Sequence, residues 1–150
     1  MGNIAIENVV FDLNGTLSMG GNITPEVQEK IHQLSKKVKI FLLSSDTRGN
    51  LKDIGEKLGV NWHRVNDSSL SENVVKEKFV EKLGAENTIA VGNGKNDEFM
   101  LKKAKIGIAV IGEEGASVST LLSADIIVTH PEDSLELILD PQKIVATMRH

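Results

Sequence analysis

Short apolar runs rich in valine and isoleucine alternate along this chain with longer stretches in which apolar residues recur at helical spacing. That alternation predicts βα units on a parallel sheet. The expected strands are Ile6 to Phe11, Val38 to Leu43, Asn61 to Val65, Thr88 to Val91, Ile106 to Val110 and Asp125 to Val128. Thr24-Pro25-Glu26 opens the first helix with a cap, a proline at the first helical position and an acidic first turn, and Val27, Ile31 and Leu34 give it one apolar face to about Lys37. A second helix is expected from Asn50 to Leu58, stopped by Gly59, and a third from Ser71 to Leu83, stopped by Gly84, with Val74, Val75, Phe79 and Leu83 as its apolar face. Shorter helices are expected at Asp97 to Lys103 and Gly115 to Leu122, and a helical tail from Ser134 to Met148 is broken at Pro141. The fold class is therefore α/β: a single domain with a doubly wound, Rossmann-like parallel sheet and helices on both faces, spanning residues 1–150 without repeat or linker.

Composition narrows the function classes. With 150 residues, 40% of them hydrophobic, the chain can bury about 68–70% of the surface it exposes when unfolded, and needs no staples. The absence of cysteine excludes a disulfide framework, a thiolate metal site and a cysteine nucleophile, and fits a reducing, cytoplasmic location. A net charge of −4 with 3% aromatic residues lacks the electrostatic footprint and stacking platforms of a nucleic-acid binder. No apolar run approaches the roughly 18 residues of a membrane span, and the start, Met1 to Ile6, does not read as a signal peptide. His32, His63, His130 and His150 show no ligand spacing, and Trp62 reads as a core residue.

In an open α/β sheet ligands bind beyond the carboxyl ends of the strands. Three such segments are rich in small, polar or acidic residues: Asp12-Leu13-Asn14-Gly15-Thr16-Leu17 after the first strand, Ser44-Ser45-Asp46-Thr47 after the second and Gly92-Asn93-Gly94-Lys95-Asn96-Asp97 after the fourth. Asp12 alone reads first as a strand end entering an Asn-Gly turn, and second as a carboxylate nucleophile or hard-cation ligand beside a Gly15-Thr16 turn whose amides face an anion. The third segment favours the second reading, because its glycines let backbone approach a ligand while Asn96 and Asp97 supply oxygen donors. A dinucleotide fingerprint would need glycine at Asp97, and a P-loop would need four residues between its glycines and Ser or Thr after Lys95; both fail. Lys76, with Lys78 and Lys82 nearby and Glu72 four residues before it, reads from spacing alone as a solvated helix-surface pair.

In this order the segments resemble the motifs of the haloacid dehalogenase superfamily of phosphotransferases. Val9-Val10-Phe11-Asp12-Leu13-Asn14-Gly15-Thr16 matches the strand followed by Asp-x-Asp-Gly-Thr at all but one position. Within the superfamily the likeness is to the phosphorylation domain of P-type ATPases, through Lys76 to Leu83, Gly92 to Asp97 and Leu101 to Ala109. Small soluble P-type ATPase-like phosphatases are the expected whole-length match. The resemblance implies that Asp12 attacks phosphorus to form an aspartyl phosphate, that Ser44 and Lys76 hold the phosphoryl group, and that Asn14 stands at the acid–base position. It further implies Gly15, Thr16, Ser45 and Asn96 as phosphate-binding residues, and Mg2+ held at Asp12, Asn14, Asn93 and Asp97.

Two positions depart from that pattern, each an aspartate replaced by its amide. Asn14 cannot act as general acid or base, a role worth about 10²–10⁴-fold, and Asn93 removes a formal charge from the metal site. Asp46 is a further acidic candidate, with a turn or helix cap as its alternative. Only about 30 residues separate Asp12 from Ser44, and again Ser44 from Lys76, too few for an inserted cap domain. Substrate selection would then fall to the loop Ser18 to Ile23, mobile at Met19-Gly20-Gly21, to a neighbouring subunit in a homo-oligomer, or to a protein-sized substrate. The expectation is a Mg2+-dependent phosphohydrolase, with possible ATPase activity, acting on small phosphorylated substrates or nucleotides with good leaving groups. The alternative is a weakly catalytic phosphate- or nucleotide-binding regulatory module.

Overall fold

The computed structural model describes residues 5–148 apart from Met19, so that residue and the segments 1–4 and 149–150 lie outside it. The elements run β1 (Asn8–Asp12), α1 (Pro25–Ser35), β2 (Lys39–Ser44), α2 (Leu51–Leu58), β3 (Asn61–Arg64), α3 (Glu72–Leu83), β4 (Thr88–Gly92), α4 (Glu98–Lys103), β5 (Ile106–Val110), α5 (Val118–Ser123), β6 (Ile126–Val128), α6 (Pro131–Leu139) and α7 (Pro141–Met148). The six strands form one sheet in the order β3-β2-β1-β4-β5-β6, every neighbouring pair parallel. Strand order reverses between β1 and β4, and this switch point opens the crevice in which the Asp12 and Gly92 segments meet.

The central strands are buried on both faces, as parallel strands covered by crossover helices must be. Along β1 the side chains alternate: Val9 and Phe11 join a core with Ile31 of α1, Leu51 of α2 and Leu135 of α6, while Val10 joins a second core with Val80 of α3 and Met100 of α4. Each such side chain contributes about 1.5–3 kcal/mol through apolar burial. The caps are those of the sequence: Thr24 and Ser71 accept the Val27 and Val74 amides at 3.2 and 3.3 Å, and Gly59 ends α2 in the left-handed region.

Several boundaries differ from expectation. β1 begins two residues later and ends on Asp12, because its pairing with β2 runs from Asn8↔Lys39 to Asp12↔Leu43. The C-terminal helical segment starts at Pro131 rather than Ser134, since proline supplies the first helical φ without needing a partner for an amide. α5 starts three residues later than expected because Ser117 caps it, accepting the Thr120 amide at 3.2 Å. On α3 the fully inward positions are Lys76 and Val80, with Val75, Phe79 and Leu83 half-buried at the flanks. Trp62 is only half-buried, lying over Gly55 of α2, where a Cβ would stand 2.2 Å from the indole. Among the described residues no domain is inserted between β1 and β2 or between β3 and β4, and no helix is long and apolar enough to cross a membrane.

Candidate active site

β1 delivers Asp12 to the crevice in an almost fully buried position. The chain then turns tightly: the Leu13 carbonyl accepts the amides of Thr16, Leu17 and Ser18, and the Gly15 amide donates to Ser18. Gly15 adopts φ +81°, and a Cβ there would lie 2.7 Å from the Asn93 amide nitrogen, so glycine is needed both for the turn and for the approach of the β4 loop. The amides of Gly15 and Thr16 are thus spent inside the turn rather than aimed at an anion, a correction to the expectation from sequence. Thr16 is wholly buried. Its hydroxyl lies 3.0 Å from Asp12 Oδ2 and 3.3 Å from Asn93 Oδ1, and its single proton can serve one of them at a time.

β2 ends at Ser44, whose Oγ accepts the Asp46 amide at 2.9 Å and the Asn14 side-chain amide at 3.3 Å, which leaves its own proton free to donate. Asp46 itself turns away. It has φ +63°, one oxygen accepts the Leu51 amide at 3.0 Å and the other the Arg64 Nε at 2.8 Å, so it ties α2 and β3 to the end of β2. These hydrogen bonds hold the Asp46 carboxyl below its ordinary value, that from Arg64 foremost.

Lys76 is the element that joins the strand ends. It is 1% exposed, and its ammonium lies 2.9 Å from Asp12, 2.7 Å from Asp97 and 3.0 Å from Glu72. The solvated surface pair that its spacing allows is therefore not what forms. Beyond β4, Gly92 lies so close to Asp97 that a Cβ would meet that side chain at 2.6 Å. Asp97 Oδ2 accepts the amides of Asn93 and Gly94 at 3.0 and 3.1 Å while Oδ1 takes Lys76, so both of its oxygens are engaged.

Burial, and after it the Asp97 charge, push the Asp12 carboxyl up to about 7 against the lowering pull of Lys76 and Thr16. Burial pulls the Lys76 ammonium down, but the charges and hydrogen bonds of Asp12 and Asp97 outweigh it and hold the group above its ordinary value. Lys76 is a fixed cation at neutral pH.

Asp12, Asn14, Ser44, Ser45, Lys76, Asn93, Asn96 and Asp97, all singled out in the sequence, line one open cleft of about 200 Å³. Gly15 lines instead a groove of about 610 Å³ that shares Asn14 and Asn93 with the cleft and runs past Gly20 and Arg48 to the Gly112–Ser117 loop. Gly94, Thr47 and Glu72 complete the cleft, the last two without a site role in the sequence reading. Glu72 was visible only through its four-residue offset from Lys76, which is the same for an exposed pair as for a buried one.

Among the described residues no three acidic or histidine side chains are grouped to hold a metal ion. The oxygens on hand are the Asp12 carboxylate and the amide oxygens of Asn93 and Asn14, the last buried with no hydrogen-bond partner among the described residues. That set of hard oxygens suits a divalent cation such as Mg2+, with less charge than an all-carboxylate site.

Residues 68–134, from just before α3 to the start of α6, match the family model of haloacid dehalogenase-like hydrolases. An uncharacterized protein of Methanocaldococcus jannaschii is 48% identical over 83 residues, which are 53% of this chain and 89% of that protein. A soluble P-type ATPase-like phosphatase from the same organism is 26% identical over 137 residues, 89% of this chain, but the chain spans only half of that relative's length. The solved structure of 3-deoxy-D-manno-octulosonate 8-phosphate phosphatase from Moraxella catarrhalis, in complex with magnesium, phosphate and sugar acid, superposes with a TM-score of 0.76 at 17% identity, covering 97% of this chain and 95% of that one. Taken with the order of the motifs along the strand ends and the sheet that gathers them, residues 68–134 belong to the haloacid dehalogenase-like hydrolases, and the phosphatase relative extends the likeness over 89% of the chain.

Proposed function

We propose that this chain is a phosphatase that works through an aspartyl phosphate on Asp12. The observation that carries the reading is the buried Lys76 ammonium, in contact with both Asp12 and Asp97 at the switch point of the sheet. Nucleophile and phosphate ester are both anionic, and a fixed cation preorganised between strand ends offsets their repulsion in a site of low dielectric. A carboxylate oxygen of Asp12 attacks phosphorus, the bond to the ester oxygen breaks, and that oxygen departs with the electron pair. The Ser44 proton, freed by the two donors its oxygen already accepts, hydrogen-bonds the phosphoryl group, with Ser45 and Asn96 at the rim of the cleft. Asp12, Asn14 and Asn93 would hold Mg2+, which supplies further positive charge against that of the phosphoryl group. Asp97 holds Lys76 through Oδ1 and the Asn93–Gly94 backbone through Oδ2, and the second lone pair of Oδ1 keeps it a candidate ligand for the same ion.

Asn14 cannot protonate a departing alkoxide, so aryl phosphates and other anhydride-like or acidic leaving groups are the expected substrate class. A Mg2+-dependent release of p-nitrophenol from p-nitrophenyl phosphate is expected, falling to background in Asp12→Asn. Undiminished release from that variant would overturn the assignment. The two amides at 14 and 93 also favour a second reading, a phosphate- or nucleotide-binding module without turnover, for which calorimetric binding of phosphate analogues with Mg2+ but no hydrolysis is the signature.

A further inference from the structure

With Asn14 at the acid–base position, hydrolysis of a phospho-Asp12 intermediate lacks the group that would take a proton from water. The geometry points to Glu72 as that general base, an inference that rests on the phosphatase reading above. Glu72 is the first residue of α3, one turn before Lys76, and lines the same cleft as Asp12, Asn14 and Ser44. Its Oε2 lies 3.0 Å from the ammonium whose distance to Asp12 Oδ1 is 2.9 Å, so the two carboxylates sit on one nitrogen and face one small space.

Among the acidic groups that line the cleft, elimination leads to the same residue. Asp12 is the nucleophile. Asp97 has both oxygens engaged, and Asp46, outside the cleft, is likewise fully engaged by Leu51 and Arg64. Glu72 Oε1 has no hydrogen-bond or ion-pair partner among the described residues, and with its side chain 23% exposed it can meet solvent as well as the cleft. In the step assigned here a water oxygen attacks phosphorus, the bond between phosphorus and the Asp12 oxygen breaks with its electron pair returning to the carboxylate, and the water proton passes to Glu72 Oε1. Inorganic phosphate leaves and Glu72 releases the proton to solvent.

The test separates the two half-reactions with p-nitrophenyl phosphate and Mg2+ in a stopped-flow instrument. Glu72→Gln keeps an oxygen to accept from Lys76 but cannot take a proton. The first-turnover burst of p-nitrophenol should persist while steady-state release falls by about 10²–10⁴-fold, the usual worth of a general base. Asn14→Asp in the Glu72→Gln background should restore most of the steady-state rate. A fall of less than threefold, a burst lost together with the steady state as for a residue that merely positions Lys76, or no rescue by Asn14→Asp would each overturn the assignment. Absence of both burst and turnover in the unsubstituted protein would overturn instead the phosphatase reading beneath it. Thermal melts of each variant exclude a folding defect as the cause.

Discussion

Replacing Lys76 by methionine isolates what the buried ammonium does for the fold, separately from catalysis. Methionine fills much of the same volume, so the packing of α3 against Val10 and Leu43 is largely kept. What changes is charge. Asp12 and Asp97, with side chains 12% and 2% exposed, and Glu72 at the cleft mouth lose the cation they share. Breaking a buried ion pair by removing one partner costs about 3–5 kcal/mol, a large share of the roughly 5–15 kcal/mol that keeps a domain folded. For a chain of this size each kcal/mol lowers the melting temperature by about 2–4 °C, so a fall of roughly 6–20 °C is expected. Urea melts at pH 7 measure the free energy directly. Asp12 already stands at about 7 in the folded protein, and without the lowering pull of Lys76 it rises further, so the folded variant keeps its proton to higher pH than the unsubstituted protein does. The gap between the two should therefore narrow as pH falls from about 9 to about 7 and stay level below that. A loss below 1 kcal/mol, or a gap that widens as pH falls toward 7, would refute the view of Lys76 as the electrostatic keystone of the cleft.

Two further expectations concern the donors around it. Asp12 rises from 3.8 to about 7 on folding, so its contribution to stability is greatest below pH 3.8 and is lost as pH rises through about 7. In metal-free buffer the stability of the unsubstituted protein minus that of Asp12→Asn should fall, on the order of a few kcal/mol, between pH 4 and pH 7; urea melts that show the difference rising would contradict the burial argument. Asn93→Asp restores a formal charge to the oxygen set, and Mg2+ titration calorimetry should show binding tightened roughly tenfold, about 1.4 kcal/mol. Unchanged or weaker binding would remove Asn93 from the set.

Much of this architecture is legible along the chain because its causes are local. Val9 to Phe11 and Ile106 to Val110 are short, doubly apolar runs that suit only a covered strand, and Thr24, Ser71 and Gly59 mark helix ends through hydrogen bonds within a few residues of themselves. The order of the polar segments at the strand ends likewise exposes Asp12, Ser44 and Asn93 as candidates before any coordinate. Tertiary structure decided what depends on distant neighbours. The strand order that sets β4 beside β1 brings Gly92–Asp97 to Asp12 across about 80 residues of chain. Lys76 looks like one of three lysines on a helix surface until α3 docks and carries it inward, since an i, i+4 offset from Glu72 is blind to burial. The hydrogen bonds that tie Thr16 to Asp12, and Asp97 to Lys76 and the Asn93 and Gly94 amides, are equally invisible along the chain. Hydrophobic period and caps are written residue by residue. Which carboxylates share one buried ammonium is a matter of folded distance, where low dielectric turns placement into charge state.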